Sequence, residues 1–444
     1  MQSISSAVSM RRKEKTMNCK HFSKIGEALY SAVLPNGLRI NVVTKPGFKL
    51  GYAVFATNYG GAHRRFFLNG QWHDTPAGVA HFLEHKMFDM PDGDNALSTL
   101  SANGAQPNAF TSSGMTAYYF DCTAGFEENL RMLLRFVSTP YFTDETVNKE
   151  QGIIGQEIGM VEDSAGYVVY NRLMRLLYEH NPVRDQVAGS VESIAEITAE
   201  TLYNCHSAFY APSNMVLCVA ADCDPDRIYA IAEEILPKER AEIPSADLGE
   251  KESEFPLEAY HEEKMELSAP QFLIGAKVTP AGKGEALQRQ KIVAQLALRT
   301  LFGSSGEFYN RLYSEGVLNR DYDYEIDYTA GTATIMLGGE SAVPERVLKE
   351  IGAAIDGVKQ NGLDIDAFNR AKKASFGARL RGLEDFDNIC ISLVTGLFGD
   401  YCSLDSFEVL ESIDVKECEE FLTTYMASDR LAMSVISPIN KVAQ

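Results

Sequence analysis

Residues 153–163, IIGQEIGMVED, align without gaps with residues 375–385, SFGARLRGLED, which lie 222 residues further along the 444-residue chain. The acid near the end of the first segment, Glu162, falls on Glu384. A second pair of segments follows in the same order, VESIAEITAETLYNCHSAFYAPSNMVLCVAAD and LESIDVKECEEFLTTYMASDRLAMSVISP. Each of these reads as a helix followed by an aromatic residue, a turn and an alternating strand. Two matches in one order indicate an internal duplication, so the chain is predicted to consist of two related halves.

Each half mixes short strand-like runs with longer helical ones. Strand candidates are LRINVVTK and GYAVFATNYG in the first half, and QFLIGAKV and RLAMSVIS in the second. Helices fit GVAHFLEHKMF, DETVNKEQGIIGQEIGMVED and the stretch from Glu285 to Phe302. Strand pairs followed by helix pairs predict an α+β fold, in which each half has helices packed on one face of a largely antiparallel sheet.

The clearest change in composition lies at residues 242–264, EIPSADLGEKESEFPLEAYHEEK, which are polar, acidic and interrupted by two prolines. Such a stretch is typical of a linker between domains. We therefore predict an N-terminal extension without stable structure (residues 1–20), a first half (21–241), this linker, and a second half (265–444). Met17 is an alternative to Met1 as the start of the protein.

The overall composition excludes several functional classes. A net charge of −20 and a pI near 4.9 argue against nucleic acid as a partner, because a phosphate-binding surface needs clustered Lys and Arg. We expect no membrane span, since no apolar run reaches about 18 residues, and no secretory signal. The eight cysteines include no CxxC pair and read as reduced thiols, so the predicted location is the cytoplasm.

Residues 80–88, AHFLEHKMF, carry His81 and His85 four positions apart, with Glu84 just before the second histidine. On a helix, residues at this spacing lie on one face about one turn apart, so both imidazoles can bind the same ion. Imidazole is a common zinc ligand. Glu84 lies near the same face and could take a proton from a water whose pKa the ion has lowered. The arrangement is HExxH with its order reversed.

A surface helix with two solvated histidines would contain the same string. The residues that flank the histidines are apolar, however: Val79, Ala80, Phe82, Leu83, Met87 and Phe88. A helix that is apolar on nearly every side is buried, and buried polar side chains need partners. Because a metal ion would supply those partners, the pattern favours a metal site.

Two histidines and a water leave one protein ligand to come from elsewhere in the chain. The first place to look is the acidic helix NKEQGIIGQEIGMVED, in which Glu150 and Glu157 stand two turns apart on one face. Glu157 lies between Ile154 and Ile158, so it is expected to face the core. The alternative is that Glu157 is one of several solvated acids on this helix.

These residues resemble the pitrilysin/insulinase zinc peptidases, the inverzincins, whose pattern is HxxEH followed further along by ExxxxxxE. HFLEH and EQGIIGQE fit that pattern at a suitable distance. The resemblance implies that His81, His85 and Glu157 bind one zinc ion per chain. It also implies Glu84 as the general base and Glu150 as a catalytic acid that orients the site.

The resemblance covers the first half almost end to end. The segment GAQPNAFTSSGMTAYYF looks like the family's edge strand, with Asn108 and Ala109 matching the Asn-Ala of its NAxT segment. By resemblance, this strand pairs with an extended peptide substrate. The sequences of these motifs are most similar to those of the short, single-chain bacterial cytoplasmic branch of the family.

The second half resembles the family's inactive companion domain. At the offset of 222 residues, Arg379 replaces Glu157 and Lys372 replaces Glu150, and no HxxEH string occurs near residue 303. The resemblance therefore implies one site per chain, in residues 21–241. Family members of this length pair two such chains into a hollow clamshell, so we expect a homodimer or a heterodimer with a related chain.

The second half departs from the family at one motif. The family commonly carries an Arg and a Tyr there, as in LRExxGLxY, which help to hold the substrate and the transition state. The corresponding stretch, RLYSEGVLNRDYDYEIDY, has Tyr313 near the Arg position, and Tyr322 or Tyr324 could serve as the Tyr. Which of these tyrosines completes the site stays open, and a partner chain is an alternative source of the missing group.

The predicted function is that of a zinc-dependent metalloendopeptidase, which hydrolyses short or unfolded peptides with a glutamate general base. One alternative is a non-catalytic structural or assembly subunit of a paired complex. The intact set of His81, His85, Glu84 and Glu157 disfavours that alternative. Another alternative is a protease dedicated to the maturation of one peptide.

Overall fold

Two mixed sheets, one in each half, organise the chain, and a computed structural model describes residues 17–439. The elements up to the linker are β1 (Asn18–Phe22), β2 (Glu27–Val33), β3 (Arg39–Thr44), β4 (Gly51–Thr57), β5 (Arg65–Leu68), β6 (Gln71–Asp74), α1 (Val79–Lys86), α2 (Ala96–Ala102), β7 (Ala105–Thr111), β8 (Thr116–Cys122), α3 (Phe126–Ser138), α4 (Asp144–Glu162), α5 (Ala165–Leu177), α6 (Val191–Ile194), α7 (Ala199–Phe209), β9 (Met215–Ala221) and α8 (Pro225–Ile235). The later elements are β10 (Ser245–Asp247), β11 (Tyr260–Met265), β12 (Gln271–Val278), α9 (Glu285–Phe302), α10 (Glu307–Ser314), β13 (Asp323–Thr329), β14 (Thr332–Glu340), α11 (Pro344–Asn361), α12 (Ile365–Gly382), α13 (Phe386–Phe398), α14 (Ser406–Ser412), α15 (Val415–Tyr425) and β15 (Ala432–Pro438).

The first sheet has seven strands in the order β1-β2-β3-β9-β4-β8-β7. All neighbouring strands are antiparallel except β3 and β9, which are parallel. The central strands β4 and β9, GYAVFAT and MVLCVAA, are buried along their whole length. A continuous apolar run of this kind is typical of a strand that is covered on both faces. Helices α1, α3, α4, α7 and α8 supply one of the two covers.

The second sheet repeats this arrangement with five strands in the order β11-β15-β12-β14-β13. Its one parallel pair, β11 and β15, occupies the place of β3 and β9 in the first sheet. In both halves a hairpin forms one edge, namely β7–β8 in the first sheet and β13–β14 in the second. The predicted α+β fold with two related, largely antiparallel halves is therefore confirmed.

Each sheet receives the cover of its remaining face from the other half. Helix α13 packs Ile389 and Leu393 against β4 and β9 of the first sheet. Helix α5 packs Leu173 and Leu177 against β12 and β15 of the second sheet. Gly275 on β12 permits this close approach, because a Cβ atom there would lie 2.8 Å from Cδ2 of Leu173. Each sheet therefore has the predicted helices of its own half on one face and a helix from the other half on the opposite face. We call α5 and α13 the exchanged helices.

The ends of the predicted extension and linker differ from the ends of the observed elements. Met17 is buried in the core and β1 follows it directly, so described structure begins inside the predicted extension (residues 1–20), of which residues 1–16 lie outside the described residues. Within the predicted linker, β10 pairs with β5 of the first half and β11 pairs with β15 of the second. Residues 260–265, YHEEKM, alternate between exposed and half-buried positions, as an edge strand with one solvated face requires. Their polar composition conceals this strand in the sequence.

Candidate metal centre

Helix α1 presents the HxxEH string from within the core. The helix begins after Gly78, whose φ of 95° lies in the left-handed region and whose Cβ position would fall 2.5 Å from the carbonyl oxygen of Ala188. Any side chain at residue 78 would be both strained and blocked. Phe82 and Leu83 are fully buried. The helix is therefore fixed at its start and along its apolar side, and this fixes the direction of its polar side chains.

Three side chains from two helices meet on the polar side of α1. His81, His85 and Glu157 each present one donor atom, and these atoms all lie within 4.8 Å of one another. Nε2 of His81 lies 3.5 Å from Oε1 of Glu157, and Nε2 of His85 lies 3.6 Å from Oε2 of Glu157. Ile154 and Ile158 are buried on α4, so Glu157 between them is turned toward α1. The structure thus brings Glu157 to the histidines rather than leaving it among the solvated acids of α4.

The donor set fits zinc in both chemistry and spacing. Zinc binds imidazole nitrogen and carboxylate oxygen at about 2.0–2.2 Å with tetrahedral angles, which places neighbouring ligand atoms roughly 3.4 Å apart. The N–O separations of 3.5 and 3.6 Å agree with that value. Two histidines and one carboxylate form a set that leaves the fourth position for a water or a substrate. These residues are therefore able to hold a catalytic type of zinc ion.

Glu150 stands behind His85, on the side away from the shared donor atoms. Its Oε1 lies 3.1 Å from Nδ1 of His85. Burial opposes ionisation of Glu150, but the contact with His85 and the charge of Lys86 outweigh it and lower the pKa of the carboxyl. A charged Glu150 accepts a hydrogen bond from Nδ1, which leaves the lone pair of Nε2 facing Glu157. Glu150 is thus placed to orient the site.

Lys86 supports Glu150 from inside the core, and sequence analysis overlooked it. The residue is only 2% exposed, although it carries an ammonium group. Its Nζ contacts the carboxylate of Asp89 and lies 3.7 Å from Oε2 of Glu150. A buried ammonium is stable only with such partners. The signal available in the sequence was a lysine directly after His85, in a helix whose remaining residues apart from the HxxEH set are apolar.

Glu84 is connected to the edge strand of the first sheet. Its side chain is largely buried, and Oε2 accepts a 2.6 Å hydrogen bond from Oγ1 of Thr111. Thr111 ends β7, the same strand that carries Asn108 and Ala109. Asn108 is exposed at this edge, and its Oδ1 accepts a hydrogen bond from the backbone N–H of Ala109. The contact through Thr111, which sequence analysis also missed, ties the carboxylate of Glu84 to the predicted substrate strand.

The three candidate tyrosines lie in the stretch RLYSEGVLNRDYDYEIDY, where the second half differs from the family's LRExxGLxY motif, and their surroundings differ. Tyr313 is 42% exposed on α10 and stacks on Tyr309. Tyr322 is buried in the core of the second half, and its hydroxyl has no hydrogen-bond partner among the described residues. Tyr324 lines a cavity between α9, α12 and β13. The role of each tyrosine toward a substrate stays a prediction.

A duplicated α+β chain with one HxxEH centre defines the class of the reversed-motif metallopeptidases, and comparison with known proteins agrees. A family model described as insulinase, peptidase family M16, matches residues 67–191. A second model, described as the peptidase M16 inactive domain, matches residues 196–375. The chain belongs to the M16 peptidase family. The recognised resemblance is confirmed, including an inactive-type second half.

Relatives extend over nearly the whole chain. The Bacillus subtilis protein named "uncharacterized zinc protease YmfH" is 34% identical over 424 residues, which cover 94% of this chain and 98% of that protein. The crystal structure of an M16-like peptidase from Alicyclobacillus acidocaldarius matches with a TM-score of 0.89 and a sequence identity of 33%. The match covers 93% of this chain and 99% of that protein. A subunit-beta sequence of mitochondrial-processing peptidase from Arabidopsis thaliana is 26% identical over 42% of this chain and 34% of its own length.

Proposed function

We propose that this chain is a zinc-dependent endopeptidase that hydrolyses peptide bonds in short or unfolded peptides. The observation that carries the proposal is that His81 and His85 of α1 and Glu157 of α4 bring their donor atoms within 4.8 Å of one another, beside the buried Glu84 of α1. A purely structural subunit would need neither a clustered set of metal donors nor a buried carboxylate beside it. The relative from Bacillus subtilis, named a zinc protease, supports the same reading.

Different residues of the chain have different roles in hydrolysis. His81, His85 and Glu157 would hold the ion, which when bound polarises the scissile carbonyl and lowers the pKa of a water. Glu84 accepts the proton of the attacking water and delivers it to the leaving amine. Thr111 holds Oε2 of Glu84 by its hydrogen bond, so the other carboxylate oxygen remains available for the proton.

The edge of the first sheet offers a place for the substrate. No other described strand pairs with the outer side of β7, so its backbone N–H and C=O groups on that side can pair with an added strand. Asn108 and Ala109 lie on this strand, and Thr111 at its end contacts Glu84. A peptide bound in this way must be extended, so we expect the chain to prefer short or unfolded peptides over folded proteins.

We further propose that two chains pair, as a homodimer or with a related chain. Tyr313 stands near the position where the family carries an Arg, so a partner chain would supply the group that this half lacks. The Arabidopsis thaliana relative is named as a subunit, which supports pairing.

The proposed location is the cytoplasm. All eight cysteines are free thiols, a state that suits a reducing compartment. Across residues 17–439 the helices are too short or too polar to cross a membrane.

Metal removal tests the proposed function. The purified full-length chain is expected to contain one zinc ion per chain and to cleave members of a quenched peptide library. A chelator should abolish cleavage and added zinc should restore it, because the ion supplies the polarised carbonyl and the activated water. Zinc content measured by atomic absorption and cleavage measured by fluorescence check both parts.

The same assay separates the alternatives. Cleavage that appears only after a related chain is added indicates an obligate heterodimer. Cleavage of a single library sequence indicates a maturation protease. A zinc-loaded chain that cleaves nothing, alone or with a related chain, contradicts the proposed activity and favours a structural subunit.

Replacing the buried lysine tests how the metal centre is supported. Lys86→Met should lower zinc affinity about 10- to 100-fold, the effect typical of removing a group behind a metal ligand. The reason is that Glu150 loses its cationic neighbour and orients His85 less firmly. Competition with a chelator of known affinity measures the change. Lys149→Met, which removes an exposed lysine beside Glu150, is the matched control, and equal affinities for the two variants would contradict this role of Lys86.

A further inference from the structure

The second half contains a cavity of ≈ 700 Å³ that is lined by α9, α12 and β13 and, further along, by α13 and α14. Lys291, Gln295 and Arg299 stand four residues apart on one face of α9, and Arg379 faces them from α12. Nη2 of Arg379 donates a 2.7 Å hydrogen bond to Oε1 of Gln295. Three cationic side chains thus line one wall of a partly enclosed space.

These cations form no direct ion pair within the part of the chain that the structure describes. Among residues 17–439, no carboxylate lies within ion-pair distance of Lys291, Arg299 or Arg379. Nε of Arg379 is buried without a hydrogen-bond partner in the described residues. Nζ of Lys291 lies 3.3 Å from the hydroxyl of Tyr401 and over its ring, but this contact supplies no charge. Burial lowers the pKa of both Lys291 and Arg379, although the charge of Asp327 opposes this shift at Lys291.

The cavity occupies the position that the metal centre holds in the first half. In both halves one helix contacts a second helix and the edge strand of the hairpin: α1 contacts α4 and β7 in the first half, and α9 contacts α12 and β13 in the second. The 222-residue offset places Arg379 on Glu157. The duplicated site has therefore exchanged a carboxylate that suits a cation for a guanidinium that suits an anion.

We infer that this cavity binds a carboxylate of a peptide, either its C-terminus or an acidic side chain, against the wall formed by Lys291, Arg299 and Arg379. Guanidinium groups pair with carboxylates through parallel, charge-assisted hydrogen bonds. The outer side of β13 is unpaired in the described residues, so an extended peptide can lie along the strand while its carboxylate enters the cavity. The identity of the ligand as a peptide rests on the proposed peptidase function.

The opposite wall sets the orientation of this carboxylate. Glu325 lines the cavity on β13, and Asp327 on the same strand acts on Lys291 through its charge. Both acids repel an incoming carboxylate, so it must approach the helices α9 and α12. Removing one acid should strengthen binding, whereas removing a cation should weaken it. The two kinds of substitution therefore have opposite expected effects.

Peptide binding without cleavage tests the inference. The zinc-loaded, full-length chain carrying Glu84→Gln is titrated into three forms of one labelled peptide, and binding is followed by fluorescence anisotropy. The forms have a free C-terminus with an internal Glu, an amidated C-terminus, and Gln in place of the Glu. One of the two neutralised peptides should bind about tenfold more weakly, because a charge-assisted hydrogen bond is lost, and which one does so identifies the source of the carboxylate.

Variants then locate the effect in the cavity. Arg379→Gln should weaken binding of the charged peptide about tenfold and leave binding of the neutralised peptide unchanged. Glu325→Gln should tighten binding of the charged peptide roughly two- to fivefold. A misfolded protein would not show such a gain. Arg370→Gln, which removes an exposed arginine from the same helix, is the control and should change nothing.

The outcomes that overturn the inference are distinct from failure of the proposed function. The carboxylate site is wrong if all three peptides bind alike, or if Arg370→Gln weakens binding as much as Arg379→Gln. It is also wrong if inorganic phosphate displaces the peptide while no peptide carboxylate affects affinity. Absence of zinc binding or of cleavage in the unsubstituted chain would instead contradict the peptidase proposal.

Discussion

Glu84→Gln is expected to reduce peptide cleavage by about 10²- to 10⁴-fold, the usual contribution of a general acid–base group, while zinc stays bound. Glutamine has nearly the same shape and can still accept the hydrogen bond from Thr111, but it cannot take a proton from water. The variant should therefore keep the packing around α1 and lose only proton transfer. Initial rates on a quenched peptide and zinc content measured on the same sample check the two halves of this expectation.

The control for Glu84→Gln is the same change at an exposed acid. Glu162 lies at the end of α4 and is exposed, so Glu162→Gln should retain the full rate. A rate for Glu84→Gln close to that of Glu162→Gln would show that the proton acceptor is another group.

Glu157→Gln is expected to lose both zinc and activity. A neutral amide is a poor zinc ligand, and only His81 and His85 would remain to hold the ion. Zinc affinity should fall by more than about 100-fold, which exceeds the effect of removing a supporting group. Dialysis against a metal buffer, followed by atomic absorption, measures the loss.

The comparison between the two glutamates makes this prediction specific. Glu84→Gln should lower the rate of peptide cleavage without lowering zinc content, whereas Glu157→Gln should lower both. Restoring cleavage in Glu157→Gln with high zinc would support a ligand role. Full zinc occupancy in Glu157→Gln at wild-type affinity would remove Glu157 from the set of ligands.

The sequence predicts much of the fold because each half repeats one pattern. The match of residues 153–163 to residues 375–385 indicates two related halves, and the strands and helices follow from their periodicity. The exchange of α5 and α13 is beyond such reasoning. An apolar helix face shows that a helix is buried, but not which of two similar sheets covers it. The strands inside residues 242–264 are concealed for another reason, since an edge strand can be almost entirely polar.

The candidate site was predictable to the extent that it is local. His81, Glu84 and His85 share one helix, so their spacing alone brings them together. Glu157 remained ambiguous without the resemblance, because periodicity gives the face of α4 and not the element opposite. Lys86 and Thr111 depend on tertiary contacts, and a lysine in a sequence reads as solvated unless its neighbours show otherwise.

The exchanged helices make the metal-binding geometry of the first half dependent on the second half. Helix α4 ends at Glu162 and α5 begins at Ala165, so two residues join the helix that carries Glu157 to the helix anchored on the second sheet. Without that sheet, Leu173 and Leu177 would be exposed to water and α5 would have no anchor. The position of Glu157 therefore depends on correct docking of a half that carries no HxxEH string. The second half thus also acts as a support, because its packing with α5 helps to set the distance between a carboxylate and two imidazoles in the first half.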